Sequence, residues 1–172
     1  SAAYQVVELA YQQLYKFVPQ REILKFSDGG EASLDWFCFQ DPEGKFPIKK
    51  EAATKPILLL LPGLTGDHTK IYMTSIIKEG LRHGFDCVVV NFRGMAEVSL
   101  KTPKIYHGGS TDDAKEAIDY VHKHYCGPKR KLLGVGVSLG AGILANYMGI
   151  EKESCVLEAG VAVNCHFDTK KA

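Results

Sequence analysis

From residue 56 onward the chain alternates between two hydrophobic patterns. Short, continuously apolar runs occur at 57–61 (ILLLL), 86–92 (DCVVVNF), 132–137 (LLGVGV) and 155–165 (CVLEAGVAVNC). Runs of this length without polar alternation have no solvent side, so they read as strands covered on both faces. Between them the apolar positions recur at three- and four-residue spacing. This predicts helices over about 70–83, from 112 to about 125, and over 139–149. Ser110 or Thr111 is placed to cap the second helix, Asp112 and Asp113 suit the positive end of its dipole, and Gly127-Pro128 stops it. Strands that alternate with helices require right-handed crossovers and a largely parallel sheet. The fold class is therefore α/β.

The chain before residue 56 is organised differently. Val6, Val7, Leu9, Ala10, Leu14, Phe17 and Val18 fall at near-helical spacing and Pro19 follows, which predicts an amphipathic helix over 1–19. Its apolar face suits packing against the domain or docking elsewhere. "REILKF" and "SLDWFCF" flank "SDGGEA", whose Asp-Gly-Gly is a hairpin signal. A charged, turn-rich loop over 40–56 leads to the first central strand. The expected division is an N-terminal helix (1–19) and one domain (20–172).

Composition narrows the function classes. The 172 residues are 45% hydrophobic and 24% charged, with a formal net charge of +1, as in one ordinary globular domain. The basic residues are scattered, giving no electrostatic case for nucleic acid, and "GPKRK" (127–131) reads as a solvated turn. Cys38, Cys87, Cys126, Cys155 and Cys165 show neither C-x-x-C pairing nor metal-ligand spacing. Three of them lie in apolar runs, so reduced thiols in an intracellular compartment are expected, with no metal and no organic cofactor. No apolar run approaches the ~18 residues of a transmembrane helix, and a secretory signal is either absent or removed.

The candidate chemistry lies in "GVGVSLGAG" (134–142). G-x-S-x-G alone says little in a chain with 17 glycines, but here a buried strand precedes it and a helix follows. That is the context of a nucleophile elbow, in which a strained turn lifts the serine hydroxyl above the sheet. The residues two before and two after the serine must be small because strand and helix backbones nearly touch. Gly136 and Gly140 satisfy this. The dinucleotide pattern fails because its third glycine would fall at Leu139, and no P-loop is present. An acyl-transfer site also needs amides aimed at a developing oxyanion. Leu139, the residue after Ser138, offers one. "LLPGLTG" offers another at Leu64 or Thr65, with Gly63 allowing the sharp turn.

Five blocks in order, "LLPGLTGDHTKIYM", "VVVNFRG", "TPKIYHGGSTDDAKEAIDYVH", "GVGVSLGAGILANYMG" and "AGVAVNCHFD", resemble the AB-hydrolase type 4 family of the α/β-hydrolase superfamily. That family includes bacterial YheT-like esterases and eukaryotic phospholipase relatives. The resemblance spans roughly residues 20–170. It implies an α/β-hydrolase sheet, Ser138 as nucleophile, the Leu64 and Leu139 amides as oxyanion hole, and an acyl ester or lipid as substrate. It implies architectural roles for Arg93, which pairs or bonds to loop carbonyls, for Asp112 and Asp113 at a helix start, and for His107 in its "YHGG" loop.

A serine hydrolase needs a histidine to accept the serine proton and an acid to orient that histidine. In this fold both follow the nucleophile in the chain. After Ser138 the sequence holds one histidine, His166, and one aspartate, Asp168, and neither lies at the family's triad positions. His166 stands where the family often has proline. His68, His83, His122 and His124 are expected at the surface. The family's later strands and lid are missing here, and the apolar strand near 155–164 would need covering. A missing segment or a second polypeptide can supply the cover together with the histidine and acid. The competing expectation is a catalytically inactive, hydrolase-like structural subunit of a larger assembly.

Overall fold

The computed structural model describes residues 18–38 and 54–165. Residues 1–17 of the helix predicted over 1–19, most of the 40–56 loop, and His166 and Asp168 lie outside the described residues. Six strands form one sheet: β1 (Gln20–Lys25), β2 (Glu31–Phe37), β3 (Ile57–Leu61), β4 (Asp86–Asn91), β5 (Leu132–Val137) and β6 (Ala159–Val163), in spatial order β1-β2-β4-β3-β5-β6. The β1–β2 hairpin joins β4 antiparallel, and β4, β3, β5 and β6 run parallel. Their carboxyl ends therefore share one edge of the sheet, where open α/β sheets bind ligands.

Three α-helices supply the crossovers: α1 (Ile71–Arg82), α2 (Asp112–Tyr125) and α3 (Leu139–Glu151). On one face, Met73 and Ile77 of α1 pack with Leu60, Cys87 and Val89. On the other, Ala117, Ile118 and Val121 of α2 and Ile143, Leu144 and Tyr147 of α3 pack with Leu59, Leu61, Val88 and Val90. β3 has neighbours on both sides and helices above and below, which is why five consecutive apolar residues suit it.

Two buried arginines tie the ends of the sheet together. Arg93, after β4, donates Nε to Asp113 Oδ2 at 2.5 Å and Nη2 to Asp113 Oδ1 at 2.6 Å and to Asp28 Oδ2 at 2.9 Å. Nη1 reaches Thr102 Oγ1 at 3.1 Å, and the guanidinium lies 4.7 Å from the Phe26 ring centroid. The expected pairing of Arg93 is thus made to carboxylates. Thr111 occupies the N-cap of α2 without a side-chain capping bond; its φ of −107° and ψ of −3° are near-helical and not the extended backbone of a capping residue. The solvated-turn reading of "GPKRK" fails at Arg130, which is 4% exposed, pairs with Asp86 and donates Nε to the Lys55 carbonyl at 2.7 Å. Position 130 sits at the foot of the sheet, where a fork of donors can join the entries to β3 and β4.

All five cysteines are free, with Cys87 and Cys126 buried. Burial, aided by Asp86, pushes the Cys87 thiol up to about 12, so it behaves as a small apolar side chain. The fourth apolar run forms a shorter strand than its 155–165 span, because residues 155–158 approach the sheet and begin the ladder only where the Glu158 amide meets the Leu132 carbonyl at 2.9 Å. Every residue of β6 is exposed, and Val161 is 56% exposed. Among the described residues nothing covers that edge strand.

Candidate active site

Ser138 sits between β5 and α3 with φ 53° and ψ −115°. A non-glycine residue in this region is strained by about 1–3 kcal/mol and persists only when its surroundings fix it. Here they do. The Ser138 amide donates to the Val163 carbonyl of β6 at 2.9 Å, and the Ser138 carbonyl accepts from Ala141 at 3.0 Å and Gly142 at 3.2 Å. The glycines two residues either side are sterically required. A Cβ on Gly136 would lie 2.3 Å from the Gly140 oxygen, and one on Gly140 would lie 2.2 Å from the Leu61 oxygen. The side chain of Ser138 is half-buried, at the shared carboxyl edge.

The loop after β3 passes directly beside it. A Cβ on Gly63 would touch the Ser138 Cβ at 3.4 Å. Thr65 carries φ 55°, a strained value for a β-branched residue. The Gly63 amide donates to Tyr72 Oη at 3.1 Å, the Thr65 amide to Tyr106 Oη at 2.9 Å, and the Gly66 amide to the Gly63 carbonyl at 2.9 Å. Among the described residues no acceptor is bonded to the Leu64 amide. Leu139 is the first residue of α3, so its N–H has no acceptor within the helix. The sequence left Leu64 and Thr65 both open as donors; the Thr65 amide is taken up by Tyr106 Oη, and the Leu64 amide is not taken up in this way.

The histidines divide. His83, His122 and His124 are exposed as expected, and exposed His107 receives the Gly109 amide on Nδ1 at 3.3 Å, a local turn contact. His68 departs from the surface expectation. Its side chain is only 16% exposed, and Nδ1 lies 2.7 Å from Asp35 Oδ2. Asp35 of β2 is fully buried. It also accepts from Arg21 Nε at 2.7 Å, Arg21 Nη2 at 2.8 Å and Asn91 Nδ2 at 2.6 Å. Burial alone would raise the Asp35 carboxyl; the Arg21 hydrogen bonds and the His68 imidazole outweigh it and hold the group at about 2. His68 thereby anchors the far end of the loop that carries Leu64.

A strained serine between a strand and a helix, with the loop after the third strand packed against it, defines a protein of the α/β-hydrolase class. Residues 56–164 match the family described as alpha/beta hydrolase fold, and the chain belongs to that family. Among curated relatives, human Phospholipase ABHD3 is 39% identical over 136 residues, covering 76% of this chain and 30% of that protein. Protein abhd-3.2 of Caenorhabditis elegans is 35% identical, covering 91% of this chain and 40% of that protein. Putative esterase YheT of Escherichia coli is 27% identical over 91% of this chain. The chain thus spans well under half the length of these relatives. Among solved structures, the Pyrococcus furiosus esterase Pf2001 superposes with a TM-score of 0.65 at 18% identity, over 90% of this chain and 54% of its own, a likeness of fold.

No helix among the described residues is long and apolar enough to cross a membrane, and no cluster of metal-binding side chains occurs among them.

Proposed function

We propose that this chain is the nucleophile-bearing part of a serine esterase acting on carboxylic or lipid acyl esters. The observation that carries the reading is the φ of 53° at Ser138, held between two glycines that admit no Cβ. Relatives named as a phospholipase and as a monoacylglycerol lipase support an acyl ester as the substrate class.

The chemistry follows from the placement. Ser138 Oγ attacks the acyl carbonyl while a histidine takes its proton. The carbonyl oxygen, now negative, is held by the Leu64 and Leu139 amides, and the alcohol leaves with the proton returned by the same histidine. Water then releases the acid by the reverse sequence. Neither His166 nor Asp168 supplies the base and acid on this reading. Both come from a segment or second polypeptide that adds to the exposed edge at β6. No metal or organic cofactor takes part.

A fluorophosphonate probe applied to the full-length protein tests this. Labelling that vanishes in Ser138→Ala, with a loss of about 10⁴-fold or more in ester hydrolysis, is the expected result. An intact, folded protein that neither labels nor hydrolyses esters overturns the enzyme in favour of a non-catalytic, hydrolase-like subunit.

A further inference from the structure

We infer that Tyr72 and Tyr106 are positioning residues, whose hydroxyls clamp the loop on either side of Leu64 and so aim its amide at the oxyanion. The inference rests on the esterase reading above and names residues that reading leaves unassigned.

The loop from Pro62 to Gly66 contains four amide N–H groups, since proline has none. Three are engaged: Gly63 on Tyr72, Thr65 on Tyr106, and Gly66 on the Gly63 carbonyl. A loop carrying a β-branched residue at positive φ relaxes unless outside contacts hold it, and the two hydroxyls provide those contacts from opposite directions. Tyr72 reaches back from the first turn of α1. Its hydroxyl enters the loop so closely that a Cβ on Gly66 would lie 2.3 Å from it. The loop is therefore built around that oxygen.

Tyr106 comes from the other side. Its ring stacks on Phe92 at 4.7 Å with an interplanar angle of 13°, and Phe92 is itself buried beyond the end of β4. Two residues on, a Cβ at Gly108 would lie 2.9 Å from Leu139 Cδ1. One short segment thus contacts both elements that contribute a candidate oxyanion donor. With Gly63 and Thr65 each tied to a phenol, Leu64 is the position between them whose amide stays available to substrate. Preorganised donors contribute to rate because they need no rearrangement when charge develops, so the clamp acts on the transition state more than on ground-state binding.

The test uses Tyr72→Phe, Tyr106→Phe and the double variant in the full-length protein. Each retains the ring, and for Tyr106 the stack on Phe92, while removing one acceptor. Hydrolysis of a short-chain p-nitrophenyl ester should show kcat falling about tenfold per variant, less than the ~10²–10³ lost when an oxyanion donor itself is removed, with KM within about twofold. Affinity for an alkyl boronic acid, which forms a tetrahedral adduct on the serine, should fall in step with kcat. Unchanged kcat, or a rise in KM with kcat intact, overturns the clamp. If the wild-type protein shows no Ser138-dependent chemistry, the esterase reading fails separately. Amide hydrogen exchange then decides the clamp. Faster exchange at Gly63 in Tyr72→Phe and at Thr65 in Tyr106→Phe supports it, and unchanged exchange at both refutes it.

Discussion

The spacing between β3 and α3 should control rate as well as stability, and Gly140→Ala measures both. The new Cβ would lie 2.2 Å from the Leu61 oxygen, 2.5 Å from the Pro62 oxygen and 2.6 Å from the Leu61 carbonyl carbon. All three are backbone atoms, so no side chain can swing aside. Restoring ordinary contact requires the start of α3 to withdraw from the end of β3 by roughly 1 Å. Overpacking of this kind costs about 1–3 kcal/mol, which leaves a domain of ordinary stability folded. The same 1 Å separates Ser138 and the Leu139 amide from the Leu64 amide. A displacement of that size costs about 10²-fold in rate, or roughly 2.7 kcal/mol of transition-state stabilisation. The assay is kcat/KM for a short-chain ester, with the rate of fluorophosphonate labelling alongside, at a temperature where circular dichroism shows the variant folded. Gly142→Ala is the control, because a Cβ there meets nothing within 4 Å. It lies in the same helix, and alanine favours helix over glycine by about 1 kcal/mol. Gly140→Ala retaining activity within threefold of the control would refute the claim that this close approach sets the geometry of the site.

Arg93→Met should cost about 3 kcal/mol in urea unfolding, since it leaves Asp113 and Asp28 only the more distant Lys104 Nζ, at 3.6 and 3.5 Å, as a cationic partner and removes the donor to Thr102; a loss below 1 kcal/mol would show the arginine network to be energetically idle. Acid stability should depend on Asp35. Its folded-state value of about 2 lies below the ordinary 3.8, so its contribution is complete above about pH 4 and is lost as pH falls toward 2, amounting to roughly 2 kcal/mol. Asp35→Asn should remove that portion of the pH dependence, and an identical acid-unfolding profile in wild type and variant would contradict the assignment.

Much of this fold is legible in hydrophobic periodicity. The four parallel strands and three crossovers are each local patterns, and Asp-Gly-Gly at 28–30 marks the hairpin because few other sequences suit so tight a reversal. Ser138, Gly136 and Gly140 are legible for a related reason: the elbow is a contact between residues close in sequence, so its steric demands are written within five positions. The tyrosine clamp and the Asp35 cluster are different. Tyr106 meets Thr65 across 41 residues, and Asn91 meets Asp35 across 56, so no local pattern records them. One signal was present. In "SLDWF", Ser33 and Asp35 occupy alternate positions of a strand with Phe37, and two polar residues sharing a strand face with an apolar one point to partners from elsewhere in the chain. Those partners are Asn91, Arg21 and His68, which is why His68 is drawn in from the surface. Arg130 escapes a reading by composition because charge clusters report net polarity, and its carboxylate partner Asp86 stands 44 residues away at the start of β4.

The order of the strands also bears on where the remaining catalytic groups of the proposed esterase belong. Ser138 stands at the end of β5, and β6 is its parallel neighbour, already touching it through the bond from the Ser138 amide to the Val163 carbonyl. Strands in a sheet are spaced by about 4.8 Å. A further parallel strand added at β6 would therefore bring its carboxyl end to the same edge, about 10 Å from β5, and a side chain on the loop beyond it can reach back to the serine. A strand added at β1 would arrive five strands away, with β1, β2, β4 and β3 between it and β5, too far to take the serine proton. On the proposed reading the exposed valines of β6 and the unfinished proton relay are thus one deficiency. Whatever polypeptide pairs with Ala159–Val163 should carry the histidine, and charged substitution at Val161, which lies opposite Val135, three residues before Ser138, and at the centre of that edge, should abolish activity by preventing the pairing.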